Sequence, residues 1–125
     1  MAGKRLKRAV AKRVERDSLA VVLLGPVGQN GLHVEKRVEL HCARVPEAVV
    51  PAAFEFLRRR LAGREVEFDD YALEERRVAA DVFVEGAAVS VELVAQGLAL
   101  PFKGPKPSKL YEQLRAAGEA ARADA

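Results

Sequence analysis

The apolar pattern of this chain first changes period at "VPEAVVPAAFEFLRRRLAG" (45–63), between two sets of strands, and that change constrains the fold more than any other feature. Within it Phe54, Leu57 and Leu61 recur at i, i+3 and i+7, while Arg58, Arg59 and Arg60 spread over the remaining faces. Pro51 suits the first turn of such a helix and Gly63 its end. On either side the chain reads as strands. "RAVAKRVERDSLAVVLLG" (8–25) carries two β-branched runs separated by a turn near "ERDS", and "GPVGQNG" (25–31) is a reversal dense in turn formers. "LHVEKRVELHCARV" (32–45) resumes alternation, with Val34, Lys36, Val38, Leu40 and Cys42 on the parity expected to face the core. A meander of three antiparallel strands is therefore expected before the helix.

Beyond Gly63, "REVEFDDY" and "RRVAADVFV" read as two more strands joined by an acidic turn from Asp69 to Glu75. "VSVELVAQGLAL" reads as a short helix ending at Gly97 and "PFKGPKP" as a loop. "SKLYEQLRAAGEAARADA" sets Leu110, Leu114, Ala117 and Ala121 on one stripe, with Ser108 placed as N-cap. The order β-β-β-α-β-β-α-α predicts an α+β fold: a five-stranded OB-fold barrel with three helices. Such barrels bind nucleic-acid strands or oligosaccharides across one face.

At 125 residues the chain suits one domain with a core that needs no disulfide or metal. Nothing approaches 18 consecutive apolar residues, so no membrane-spanning helix is expected. The basic N-terminus has no apolar run after it and does not read as a secretory signal. One cysteine, Cys42, fits a reducing compartment, cytoplasmic or nuclear. Charge is uneven. Residues 1–16 hold seven basic side chains against one acidic, a net +6, while the remaining 14 basic and 17 acidic residues leave −3. A basic arm over residues 1–8 ahead of a domain spanning 9–125 points to an anionic partner or, equally, to a solubilising tail.

The residues also carry a family pattern. "RVPEAVVPAAFEFLRRRLAGREVEF", "GAAVSVELVAQGLAL" and "KLYEQLRAAGEAARA" resemble the staphylococcal nuclease-like domain, most specifically in "VELVAQGLA". The resemblance runs from about Ala9 to the end and is nearest to the tandem repeats of the RNA-associated Tudor-SN proteins. The chain has no Trp and stops before the tryptophan that members often carry after the last helix. It is thus expected to be a trimmed piece of a longer multidomain protein, its first repeat given Met1 close by. The resemblance implies a reaction: hydrolysis of DNA or RNA phosphodiesters with Ca²⁺. Carboxylates bind the ion, a glutamate helps activate water, and two arginines hold the phosphate.

Position by position, Asp17 falls on a metal-binding aspartate, Glu47 on the catalytic glutamate and Arg77 on the second phosphate-binding arginine, with Arg76 as an alternative register. Glu39 stands where the first arginine belongs and Arg44 where the second metal-binding aspartate belongs. Both are reversed in charge. At 4 Å and an effective dielectric near 20, each unit-charge repulsion costs about 4 kcal/mol, doubled for a divalent ion. A guanidinium has no acceptor for a metal. The site therefore reads as a remnant needing no cofactor, with Glu39 and Arg44 expected to neutralise one another and Ca²⁺ relevant only if activity survives. An offset in strand three would instead bring Arg37 to the phosphate, though no nearby carboxylate would replace the one missing at Arg44.

What remains is binding. Arg44, Arg76, Arg77 and Lys103 could track a phosphate backbone, and Phe102 falls where the family lines its nucleotide pocket with tyrosine. Phe102 could equally plug the barrel end, and Arg58–Arg60 could be a solvated helix face. The partners expected are RNA or another single strand, neighbouring nuclease-like repeats, or other proteins docked as on a scaffold. His33 stands alone, and His41 and Cys42, adjacent on a strand, cannot share a metal. "GPVGQNG" lacks the Lys–Ser/Thr of a phosphate-binding loop.

Overall fold

In a computed structural model, residues 6–25, 34–73, 77–104 and 106–123 are described. Five long strands make the body: β1 (Lys7–Val14), β2 (Val21–Gly25), β3 (Val34–Leu40), β5 (Glu65–Ala72) and β6 (Val78–Val84). Two-residue strands β4 (Ala43–Arg44), β7 (Ala87–Ala88) and β8 (Leu100–Pro101) sit at its margins. The sheet runs β3-β2-β1-β5-β6, and β3 pairs β6 in parallel at Glu39↔Ala79 and Leu40↔Ala80. That last pairing closes the sheet into the five-stranded barrel expected, with edges removed.

Alternation decides which side chains fill it. In β1, Ala9, Ala11 and Val14 are buried while Lys12 and Arg13 face out, the parity slipping at a bulge between Ala11 and Arg13. Val21, Leu23, Val38, Val66, Val82 and Val84 complete the interior. The basic residues that open the domain are spent on this wall. Lys7 pairs Asp70, Arg8 pairs Glu65, and Lys12 pairs Glu35 at 2.7 Å.

Helix α1 (Val50–Leu61) follows a single 3-10 turn (Glu47–Val49) and covers one barrel end. Its predicted stripe is the buried one: Ala53, Phe54, Leu57 and Leu61. Each fully buried leucine contributes about 1.5–3 kcal/mol. Gly63, at φ +78°, gives the left-handed step that frees the chain into β5. Helices α2 (Val89–Ala95) and α3 (Tyr111–Ala123) pack on each other, with Leu93, Val94 and Leu114 fully buried. A Cβ on Gly118 would sit 3.1 Å from the Pro101 ring, so α3 reaches β8 only because that residue is glycine.

Two expectations are corrected and a third is borne out. Asp69 and Asp70 do not open a turn but lie inside β5, where Asp69 is opposite Asp81 and Asp70 takes the ammonium groups of Lys7 and Lys36. Lys36 keeps its predicted parity but is only half-buried, its head drawn to Asp70. Ser108 makes the bonds of an N-cap, as expected, on the turn that leads into α3, whose regular part starts at Tyr111. Its hydroxyl accepts from the Leu110 N–H at 2.9 Å and donates to buried Asp81. The 25–31 reversal beyond Gly25 and His33 lie outside the described residues.

Candidate nucleic-acid interface

The end of β3 organises the site. After Leu40 the chain turns at His41 and Cys42, and Cys42 takes φ +61°, a left-handed conformation that costs a non-glycine residue about 1 kcal/mol. Two bonds hold it there. The Cys42 C=O accepts the Phe102 N–H at 2.7 Å, and its Sγ accepts the Ser108 N–H at 3.2 Å. The kink swings Ala43–Arg44 onto Leu100–Pro101 as β4 and β8. Arg44 then faces Leu100, and Phe102 is its diagonal neighbour on the same face. The guanidinium lies 4.3 Å from the Phe102 ring centroid, a cation–π pair at the surface, and Phe102 is 45% exposed. Arg44 has no ion pair among the described residues.

Glu39 faces a different arginine. Its register opposite Ala79 puts it diagonal to Arg77, two residues earlier on the same face. The Arg77 Nε and Nη2 donate to the two Glu39 oxygens at 2.8 and 2.7 Å, a fork-to-fork pair. The bond from Arg77 holds the Glu39 carboxyl below the usual range, only partly opposed by burial. The expected neutralisation of Glu39 by Arg44 is therefore not what forms. Cross-strand register hands each long side chain a nearer neighbour.

These residues line a cleft of about 590 Å³, with Glu39, His41, Arg44, Arg77, Phe102 and Lys106 around it. A smaller cleft of about 180 Å³ lies on the other side of Glu39 and takes in Asp17, Ser18 and Val45. Asp17 sits exposed in the β1–β2 turn. Arg44 lines the large cleft, and Asp17 the smaller one. Glu47 is exposed in the 3-10 turn and lines neither cleft. Arg37 is taken up by Glu15 at 2.7 Å and likewise lines neither. Among the described residues no three His, Cys, Asp or Glu side chains gather as a metal centre would need.

Beside the cleft, Lys103 Nζ lies 5.5 Å from the Tyr111 ring centroid, and Lys106 Nζ donates to the Ala72 C=O at 3.0 Å. Arg76 lies outside the described residues. Arg58 and Arg60 are held by Glu55 and Glu92, the solvated-face alternative for that run. Phe102 is no plug: its exposure excludes that alternative.

A barrel closed at β3–β6, a helix after the third long strand, and a cleft at the end of that strand form one combination. A profile of the family described as staphylococcal nuclease homologue matches residues 40–125, more than half of the chain. The chain belongs to the staphylococcal nuclease homologue family. In this nuclease-like domain the match takes in Arg44, Glu47, Arg77, Phe102 and Lys103, whereas Asp17 and Glu39 precede it. No curated protein matches the chain. Among the described residues no helix is long and apolar enough to cross a membrane.

Sequence reasoning missed the buried group behind the cleft. Asp81, 1% exposed, accepts from the Ser108 hydroxyl and from Tyr71 at 2.9 Å. Burial pushes the Asp81 carboxyl up, and burial together with Asp81 pushes the Tyr71 phenol up to about 12. The signal available was an acid in the middle of the apolar run "VAADVFV".

Proposed function

We propose that the chain is a non-catalytic nuclease-like OB-fold module that binds single-stranded RNA, a repeat of the Tudor-SN type within a longer protein. The observation that carries the reading is Arg44 lying over exposed Phe102 at the mouth of the large cleft, a cation and a ring side by side. A base can stack on the ring while the adjoining phosphate meets the guanidinium, and Lys103 extends the positive edge. Residues 1–8 add charge before the domain of 9–125, although Lys7 and Arg8 already pair with Asp70 and Glu65.

The residues present do not fit a calcium ion, which seeks six to eight oxygens. Asp17 and Glu47 keep their carboxylates, but Arg44 supplies none and Glu39 is committed to Arg77. The same pair engages the retained arginine that a phosphate would otherwise meet. The domain therefore holds a strand without cutting it, needs no cofactor, and works in the cytoplasm or nucleus.

The test is fluorescence polarisation with a labelled single-stranded RNA in EDTA at two salt concentrations, beside a cleavage assay with Ca²⁺. Binding that weakens steeply with salt, with RNA left intact to the level of Glu47→Gln, is expected. Ca²⁺-dependent cleavage above that level would establish the alternative, an active endonuclease. Leu100, 52% exposed beside Phe102, favours a second reading in which this edge docks a neighbouring repeat or another protein. No RNA binding at low salt would select it.

A further inference from the structure

The wall of the large cleft that carries Phe102 and Lys106 belongs to the connection between β8 and α3, whose described residues form no strand or helix. It is nevertheless tied to the barrel at several points. The Phe102 N–H reaches the Cys42 C=O, the Lys106 C=O meets Nε2 of the His41 ring, and Lys106 Nζ reaches the Ala72 C=O. The deepest tie is Ser108, 5% exposed, whose hydroxyl lies 2.7 and 2.9 Å from the two oxygens of Asp81. Tyr71 donates to the same carboxylate, and its ring stacks on that of His41 with centroids 4.3 Å apart. A carboxylate buried within β6, opposite a second buried acid, Asp69, is costly where an apolar side chain would be cheaper. What it does and an apolar residue could not is fix the connection in one place.

We propose that Asp81, Ser108 and Tyr71 form a buried clamp that holds the Phe102-bearing wall in its binding-ready position, which makes them positioning residues for the nucleic-acid strand. The clamp rests on the reading given under Proposed function for its purpose, but its action on the wall can be read without any ligand. Ser108 is the hinge pin. It donates to Asp81, accepts from Leu110 and presents its N–H to Cys42 Sγ, so it links β6, the kink after β3 and the approach to α3.

The experiment uses the full 125-residue chain with Ser108→Ala, and Tyr71→Phe as a milder variant that keeps the ring on His41. Three readouts are taken: amide exchange at Phe102, affinity for a labelled oligouridylate, and far-UV circular dichroism. With the barrel spectrum unchanged, exchange at Phe102 quickens about tenfold or more and Kd rises about threefold or more. Ser108→Thr, which keeps the hydroxyl, restores both. Should Ser108→Ala fail to fold, Tyr71→Phe decides with smaller shifts in the same directions. Unchanged exchange at Phe102 in the folded variants overturns the clamp. Faster exchange with unchanged Kd overturns its positioning role while leaving RNA binding intact. A wild-type chain that binds no oligouridylate sinks the binding function instead, and the exchange data then still decide whether the clamp exists.

Discussion

Arg44→Ala is the substitution on which the binding argument turns. Arg44 is exposed and its recorded contact is the Phe102 ring at 4.3 Å, so its loss leaves the barrel's stability within about 0.5 kcal/mol. For the strand the effect is larger. The Arg44–Phe102 contact exists with or without a strand, so the affinity lost is that of the charged phosphate contact, about 1.4 kcal/mol or tenfold in Kd at 50 mM salt. The salt dependence is the sharper signature. Each phosphate contact on a single strand contributes about 0.7 to the slope of log K against log salt, so a fourfold rise in salt erases a factor of about 2.6. The tenfold deficit at 50 mM therefore shrinks to about fourfold at 200 mM. Polarisation titrations at four salt concentrations in EDTA measure both slope and offset. Arg44→Lys should keep the slope while recovering only part of the affinity, because an ammonium cannot lie flat on the ring. An Arg44→Ala variant with wild-type slope and wild-type affinity would refute the placement of the strand at this edge.

The pH dependence of stability has an acid limb written at Asp70. Burial alone would raise its carboxyl, but bonds from Lys36 and Lys7 hold it at about 2, below its ordinary 3.8, so the stabilisation is present above pH 4 and drains away between pH 4 and pH 2. With the lysine heads half-exposed this amounts to about 1–2 kcal/mol, and urea unfolding of Asp70→Asn should show a flatter acid limb. At the alkaline end Tyr71, raised to about 12, stabilises fully below pH 10 and loses that contribution as pH climbs through 12. An absorbance titration should find one of the two tyrosines ionising well after the ordinary range. Leu57→Ala, at a fully buried position under α1, should lower unfolding free energy by about 2–5 kcal/mol in denaturant titration.

The scaffold was legible because strands and helices announce themselves by period. The stripe Phe54, Leu57, Leu61 and the five alternating runs belong to local chain geometry, and the barrel follows from their order. The pairings within the site were not, since they depend on which residues the register brings diagonal to one another. Glu39 and Arg77 are 38 positions apart and meet only because β3 and β6 lie in parallel. Arg44 reaches Phe102 through a left-handed Cys42, a conformation that nothing in "LHCAR" signals. Asp69 and Asp70 mimic turn residues because adjacent acids usually sit in solvent, whereas here Lys7 and Lys36 hold Asp70 and the β5–β6 register keeps both in a strand. Ser108 two residues before Leu110 has the look of a cap and accepts that N–H, but its second partner, an acid 27 positions away, leaves no local trace.

The parallel seam between β3 and β6 also sets the order of events in folding. Its two residue pairs join segments about 40 positions apart, so the ring cannot shut until the chain has made α1, β5 and β6. The Arg77 partner of Glu39 stands immediately before β6 and the Lys106 partner of His41 after it, so both contacts wait on a costly loop closure. A nascent chain released before residue 78 carries β1, β2, β3 and β5 but leaves β3 with a bare edge and the cleft without its β6 wall. The cleft is thus a mark of completion: only a chain that has joined β3 to β6 possesses it.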